Sequence, residues 1–153
     1  MGYFVLFLLF LSIIFSIPFV QTKIGGYFTE KINEDFGTDI VIEKVDFSFI
    51  GNVNLKGIKI KDHHQDTLIF VSKLRTSLVN FKRILDNQII LKSISLDGVD
   101  FHLKTYEGET NDNLSIFIEL FDDGKPRDSL TPPFILKSSN IYINNLNFKL
   151  VDD

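Results

Sequence analysis

The sequence predicts a mainly β protein with an N-terminal transmembrane helix and short amphipathic helices. Three observations carry that expectation. The first twenty residues contain no charged side chain. From residue 38 onward apolar residues recur with a period of two, as in strands that are wet on one face. The chain uses Phe 16 times and Ile 20 times but contains no Ala, the best helix former.

A length of 153 residues allows one ordinary domain and a short appendage. At 44% hydrophobic residues, a packed core is expected rather than disorder. The net charge of −4, from 16 basic and 20 acidic residues, offers no basic excess for a nucleic-acid partner. Without cysteine there is no disulfide framework, thiolate metal site or cysteine nucleophile.

In residues 1–20 only Gly2, Ser12, Ser16 and Pro18 interrupt the apolar run. As one helix, residues 2–20 would extend roughly 28 Å, against a hydrocarbon core of about 30 Å. A cleaved signal peptide would start with basic residues and end in small ones; here no Lys or Arg precedes Lys23. The run is therefore read as an uncleaved transmembrane anchor. Lys23 and Lys31 follow it in company with Glu30, Glu34 and Asp35, so flanking charge leaves the orientation undecided.

Residues 21–37 place Ile24, Tyr27, Phe28, Ile32 and Phe36 at helical spacing, and Gly37 supplies a stop. The expectation is a membrane-proximal amphipathic helix whose apolar face covers one end of the following domain. An interfacial helix lying on the bilayer is the alternative, disfavoured by Glu30, Glu34 and Asp35 beside an anionic surface.

Region 38–153 is organised by one eight-residue word: two apolar residues two apart, two spacers, then two more. It occurs as Ile40, Ile42, Val45, Phe47; as Val53, Leu55, Ile58, Ile60; as Ile94, Leu96, Val99, Phe101; and as Ile141, Ile143, Leu146, Phe148. The spacers are Glu43-Lys44, Lys56-Gly57, Asp97-Gly98 and Asn144-Asn145. Such a degenerate repeat predicts an array or elongated sheet. A two-residue hairpin or a bulge within one long strand would each return both halves of a word to one face. Glu-Lys is a poor hairpin turn, so a bulge is favoured in the first word, and the other three stay open.

Between the words, residues 67–78 read as a strand with Leu68, Phe70, Leu74, Thr76 and Leu78 on alternate positions. Residues 78–85 read as a short helix with Leu78, Phe81, Ile84 and Leu85 on one face. Residues 113–121 read as another, with Leu114, Phe117, Ile118 and Phe121 together and Asp112 or Asn113 as cap. Residues 105–113 and 122–133 are expected to be exposed loops. The last strand runs to Val151 without a blunting element, which predicts an open edge and a β-region that continues in a longer chain.

No catalytic constellation is visible: there is no G-x-S-x-G, P-loop, G-x-G-x-x-G or H-E-x-x-H motif. His102 reads as a solvent-facing strand residue. The segment Asp62-His63-His64-Gln65-Asp66 reads as a polar turn. Adjacent histidines on a strand face opposite ways, so a metal site there would need a tight loop and a third ligand from elsewhere. The expectation is a non-enzyme without cofactor or metal.

Several pieces, in order, resemble the start of a TamB-type protein (translocation and assembly module) of the AsmA-like superfamily, in its Bacteroidota form. The anchor running into IPFVQTKIGGYFTEKINEDFGTDIVIEKV is similar to that family's membrane-proximal helix and first strand. VNLKGIKIKDHHQDTLIFVSKLRTSLVNFKRIL, IILKSISLDGVDFHL, NLSIFIELF and PPFILKSSNIYINNLNFKLVDD follow its succession of strand, turn, short helix and return strand. A basic cytoplasmic tail, the long repeat body and the C-terminal domain have no counterpart here.

The resemblance implies an inner-membrane, single-pass protein whose bulk lies in the periplasm as an elongated, curled antiparallel β-groove with an apolar interior. It implies a non-catalytic role in outer-membrane biogenesis, through phospholipid transport between membranes or outer-membrane protein assembly. Membrane lipids are the implied partners, together with an Omp85-type protein reached through a C-terminal region. The groove candidates are then Val53, Leu55, Ile58, Ile60, Ile94, Leu96, Val99, Phe101, Ile141, Ile143, Leu146 and Phe148. By pattern alone the same residues would make a closed sandwich core. The alternative function is accordingly a membrane-tethered closed β-domain that binds another envelope protein.

Overall fold

A computed structural model describes residues 2–48, 50–80, 83, 88–122 and 135–152. Its order is α1 (Gly2–Phe15), α2 (Pro18–Phe36), β1 (Asp39–Phe47), β2 (Asn52–Lys61), β3 (Thr67–Ser77), β4 (Gln88–Leu91), β5 (Ile94–Thr105), α3 (Asn113–Glu119), β6 (Ile135–Ser138) and β7 (Ile141–Asp152). The protein is mainly β, as its period-two patterning predicts.

The apolar run expected to form one anchor is divided. α1 has 14 residues, about 21 Å of helix. Pro18 then begins α2, with Ile17 held extended at φ −75°, ψ 119°. The cause is local: proline has no N–H to donate and its ring drives the preceding residue out of the helical region. Among the described residues, no single helix is long and apolar enough to cross a membrane. Residues 2–14 and 18–36 together have the length and composition, but they are bent by 76° at the break.

α2 starts three residues before the expected helix and ends as expected at Gly37, whose φ of 68° closes a C-terminal cap on Asn33. Its packing corrects the sequence expectation. Tyr27, Phe28 and Ile32 face outward and Phe36 meets the Phe121 ring at 5.0 Å, while Gln21 and Thr29 are buried. Residues 21, 25, 29 and 33 recur every four positions and form the face laid along β1. The reason lies in the edge of β1, whose unpaired backbone groups need polar partners. Asn33 donates from Nδ2 to the Ile40 carbonyl (2.8 Å) and accepts at Oδ1 from the Ile40 N–H (2.9 Å). Gln21 does the same at Phe47, over 2.7 and 3.0 Å. Two side-chain amides thus stand in for a neighbouring strand.

The main sheet has the order β1-β2-β3-β5-β7. β1, β2, β3 and β5 pair antiparallel, but β5 and β7 are parallel, in the register Ile94↔Ile141 to Thr105↔Asp152. The sheet is therefore mixed, which corrects the antiparallel expectation. Residues 106–140 separate the two strands, a connection long enough to return the chain to the starting end of β5, as a parallel neighbour requires. β4 and β6 make a second, two-stranded parallel sheet. α3 forms where expected, capped by Asp112 through the Ser115 N–H. Residues 81, 82, 84 and 85 of the helix expected over 78–85, and the loop expected over 122–133 beyond Asp122, lie outside the described residues.

Candidate functional site

The strand words neither turn back as hairpins nor shift register as isolated bulges. Each lies in one strand, and the pairing is unchanged on both sides of its spacers. Ile42↔Ile58 and Lys44↔Lys56 flank Glu43 and Gly57; Val71↔Val99 and Lys73↔Asp97 flank Ser72 and Gly98; Val99↔Leu146 and Asp97↔Asn144 flank Gly98 and Asn145. All five strands thus insert their extra residue in the same row. Gly57, Gly98 and Asn145 stand there at φ 60°, 65° and 56°, the left-handed region that glycine and asparagine tolerate best. This crease resets the alternation of every strand at once.

Because the resets coincide, the apolar residues align in continuous rows. Ile42, Ile58, Val71, Val99 and Leu146 form one; Val45, Leu55, Leu74, Leu96 and Ile143 form another. Ile40, Ile60, Ile69, Phe101 and Phe148 make the row at one end, where the Phe101 and Phe148 rings lie 5.4 Å apart. At the other end Val53 pairs with Phe47 and Thr76, and Ile94 with Ile141. All twelve groove candidates occupy this lattice on one face.

Ile69, Val71, Leu74 and Thr76 form a fifth word, with the spacing of the other four. The expected alternation through Leu68 and Phe70 followed the wrong phase, because Leu-Ile-Phe-Val is apolar at every position. The register places Ile69 opposite Ile60 and Val71 opposite Ile58. Leu68 falls where the register shifts and is fully buried.

Burial across the lattice is uneven. Ile58, Val71 and Val99 are 5–7% exposed, whereas Leu146 in the same row is 54% exposed. Ile141, Ile143, Phe148 and Leu150 on β7 are comparably open. The face is a packed core at its centre and a bare apolar surface at its β7 end.

A polar cluster gathers where the β2–β3 turn meets the segment after β5. Asn113, buried at the head of α3, donates to Asp62 Oδ2 and to the His102 carbonyl and accepts from the Lys104 N–H, all within 3.0 Å. The Tyr106 hydroxyl donates to Asp62 Oδ2 (2.7 Å) and lies 2.9 Å from Asp66 Oδ2. Burial raises the Asp62 carboxyl, but hydrogen bonds from Asn113, Tyr106 and the Asp66 and His64 N–H groups hold it below the ordinary carboxylate value. Burial and the two carboxylates push the Tyr106 phenol far up.

The expected polar turn at 62–66 is present, closed by Asp62 N–H to the Asp66 carbonyl at 2.9 Å. Glu109 is brought to it from the far loop, its Oε2 2.8 Å from His63 Nε2 and its Oε1 2.7 Å from His64 Nε2. These contacts, His64 foremost, hold the Glu109 carboxyl below its ordinary value. Among the described residues these three side chains are the set with donor atoms close enough to hold a metal ion. The sequence carries no signal for Glu109, which is 45 positions from His64.

No protein-family model, curated protein or solved structure matches the chain. The chemistry of the two sites is therefore the basis for assigning function. One is an extended apolar face. The other is a small cluster of imidazole and carboxylate groups.

Proposed function

We propose that this chain is the inner-membrane-anchored base of a periplasm-spanning β-groove protein of TamB type, acting without catalysis in outer-membrane biogenesis. Its cargo on this reading is phospholipid acyl chain, with outer-membrane protein assembly through an Omp85-type partner as the associated role. The observation that carries the reading is the row-by-row alignment of the five strand words, which ends in exposed apolar residues on β7. Each CH₂ removed from water contributes about 0.8 kcal/mol, so a run of equivalent apolar rows would hold an acyl chain without a deep pocket. Equivalent rows also present similar binding energy at successive positions, the condition for a chain to slide.

The helices support a membrane location for the amino-terminal end. Phe4, Leu6, Phe7 and Phe10 on α1 are all more than half exposed, as are Tyr27 and Phe28 on the outward face of α2. An apolar α1 inserted in the bilayer, followed at the 76° bend by an α2 lying in the interface, would cover both surfaces with lipid. Tyr and Phe near the headgroups fit that placement.

The test is in-cell photo-crosslinking, with a photoreactive residue at Phe148 in one strain and at Lys149, the next residue of β7, in another. Phospholipid captured at position 148 and not at 149 is the expected result. Lipid at neither position overturns the groove. Protein cross-links at position 148 alone would then favour a membrane-tethered module that binds an envelope protein.

A further inference from the structure

The geometry points to a binding site for a zinc-class divalent cation formed by His63, His64 and Glu109, clipping the β2–β3 turn to the loop between β5 and α3. The objection raised by two adjacent histidines does not apply, because they lie in a turn rather than in a strand. Gln65, at φ 67°, reverses the chain, and the Asp62 carboxylate accepts from the N–H groups of both His64 and Asp66 at 3.0 Å. Both imidazoles thereby leave the backbone toward Glu109, each Nε2 meeting a different carboxylate oxygen.

The donor set suits the ion. Two imidazole nitrogens and one carboxylate oxygen are ligands that zinc takes at about 2.0–2.2 Å, leaving one position open. The three donor atoms lie within 4.8 Å of one another. A tetrahedral ion places its donors roughly 3.4 Å apart, so closure requires side-chain shifts of about 1 Å. His63 and His64 are exposed and have room to make them.

The surroundings already orient these groups. His64 stacks on the Tyr106 ring at 3.8 Å with an interplanar angle of 24°, and His63 meets the same ring edge-on at 5.4 Å. The Tyr106 hydroxyl is fixed by Asp62 and Asp66, and Asp62 is fixed in turn by buried Asn113. The Glu109 N–H donates to the Tyr106 carbonyl at 2.9 Å, so one residue sets the position of all three ligands. Support of this kind reduces the ordering that metal binding must impose. The bound ion would replace two hydrogen bonds between the loops with three coordinate bonds.

The test uses the full chain in detergent micelles, without a histidine tag and stripped of metal with a chelator. Zinc chloride is titrated calorimetrically, and cobalt(II) is added separately to read coordination geometry from its visible spectrum. The expected result is one zinc per chain, a tetrahedral cobalt spectrum and a rise in Tm with zinc. Glu109→Gln should weaken zinc binding at least tenfold. The double variant His63→Asn/His64→Asn should abolish both the binding and the Tm rise, with an unchanged far-ultraviolet spectrum showing that it folds. His102→Asn, which removes the third histidine, should bind as the parent chain does. Absence of binding by the parent, an octahedral cobalt spectrum, or equal binding by the double variant overturns the site.

Discussion

Gly25 of α2 lies directly against Val45 of β1, so close that a Cβ on the glycine would overlap the valine Cγ2. This contact lets the helix approach the edge strand closely enough for Gln21 and Asn33 to bond its backbone. Gly26, the next residue, has open space around it. Gly25→Ala should therefore destabilise the protein by about 1–3 kcal/mol through overpacking. Gly26→Ala should stabilise it by up to about 1 kcal/mol through helix propensity. Denaturant unfolding of the two variants reads the opposite signs, and adding Val45→Ala should relieve the first.

Gly98 sits on the crease at φ 65°, with the position of a Cβ 2.8 Å from that of Ser72. Left-handed backbone costs an ordinary residue about 1–2 kcal/mol and a β-branched residue is worst placed of all. Gly98→Val should accordingly lower Tm well below that of Gly98→Asn, since asparagine already occupies the same row at position 145. Equal losses for the two variants would remove the backbone argument and leave only the clash.

Asn113 is 1% exposed and bonds two strand backbone groups and one carboxylate. Asn113→Leu leaves the Lys104 N–H and the His102 carbonyl without their side-chain partner. At about 1–3 kcal/mol for an unsatisfied buried group, a loss of about 3 kcal/mol is expected. Faster hydrogen exchange at Lys104 than at Val99 would locate the damage.

Asp112 caps α3, accepting from the Ser115 N–H at 2.9 Å and from the Ser115 hydroxyl at 2.8 Å. Those two bonds, the backbone one first, hold its carboxyl below the ordinary value. A group lowered in the native state binds its proton less tightly there than in the unfolded chain. Its stabilisation is present above the unfolded value near pH 3.9 and is lost as pH falls through the native value. Asp112→Ala should cost about 1 kcal/mol at neutral pH, and the gap to the parent should narrow below pH 4. A gap constant with pH would mean that the charge contributes nothing.

The strand words were legible because side-chain facing within a strand depends only on local spacing. Ile94, Leu96, Val99 and Phe101 could be assigned to one face without knowing any neighbour. The fifth word at Ile69 was hidden because its flanking residues are apolar too, so periodicity carried no phase there. For α2 the same reasoning failed at a different point. Its apolar stripe through Tyr27, Phe28 and Ile32 was correctly placed on one side of a helix, but the sheet took the opposite side. Helical spacing sorts residues into faces; it does not say which face meets a strand edge in need of hydrogen bonds.

The sequence by itself determined the mainly β character, the apolar amino terminus, the aligned faces of the words and the turn at 62–66. Only the tertiary structure decided which strands are neighbours and in which direction they run. The physical reason lies in the word itself: apolar positions one, three, six and eight read the same from either end. Ile94 to Phe101 therefore matches Ile69 to Thr76 antiparallel and Ile141 to Phe148 parallel with equal fidelity. Direction is chosen by the connecting chain, through the length of residues 106–140. The meeting of Glu109 with His63 and His64 follows from that same long-range folding, because groups far apart in sequence acquire a common geometry only when the strands that carry them pair.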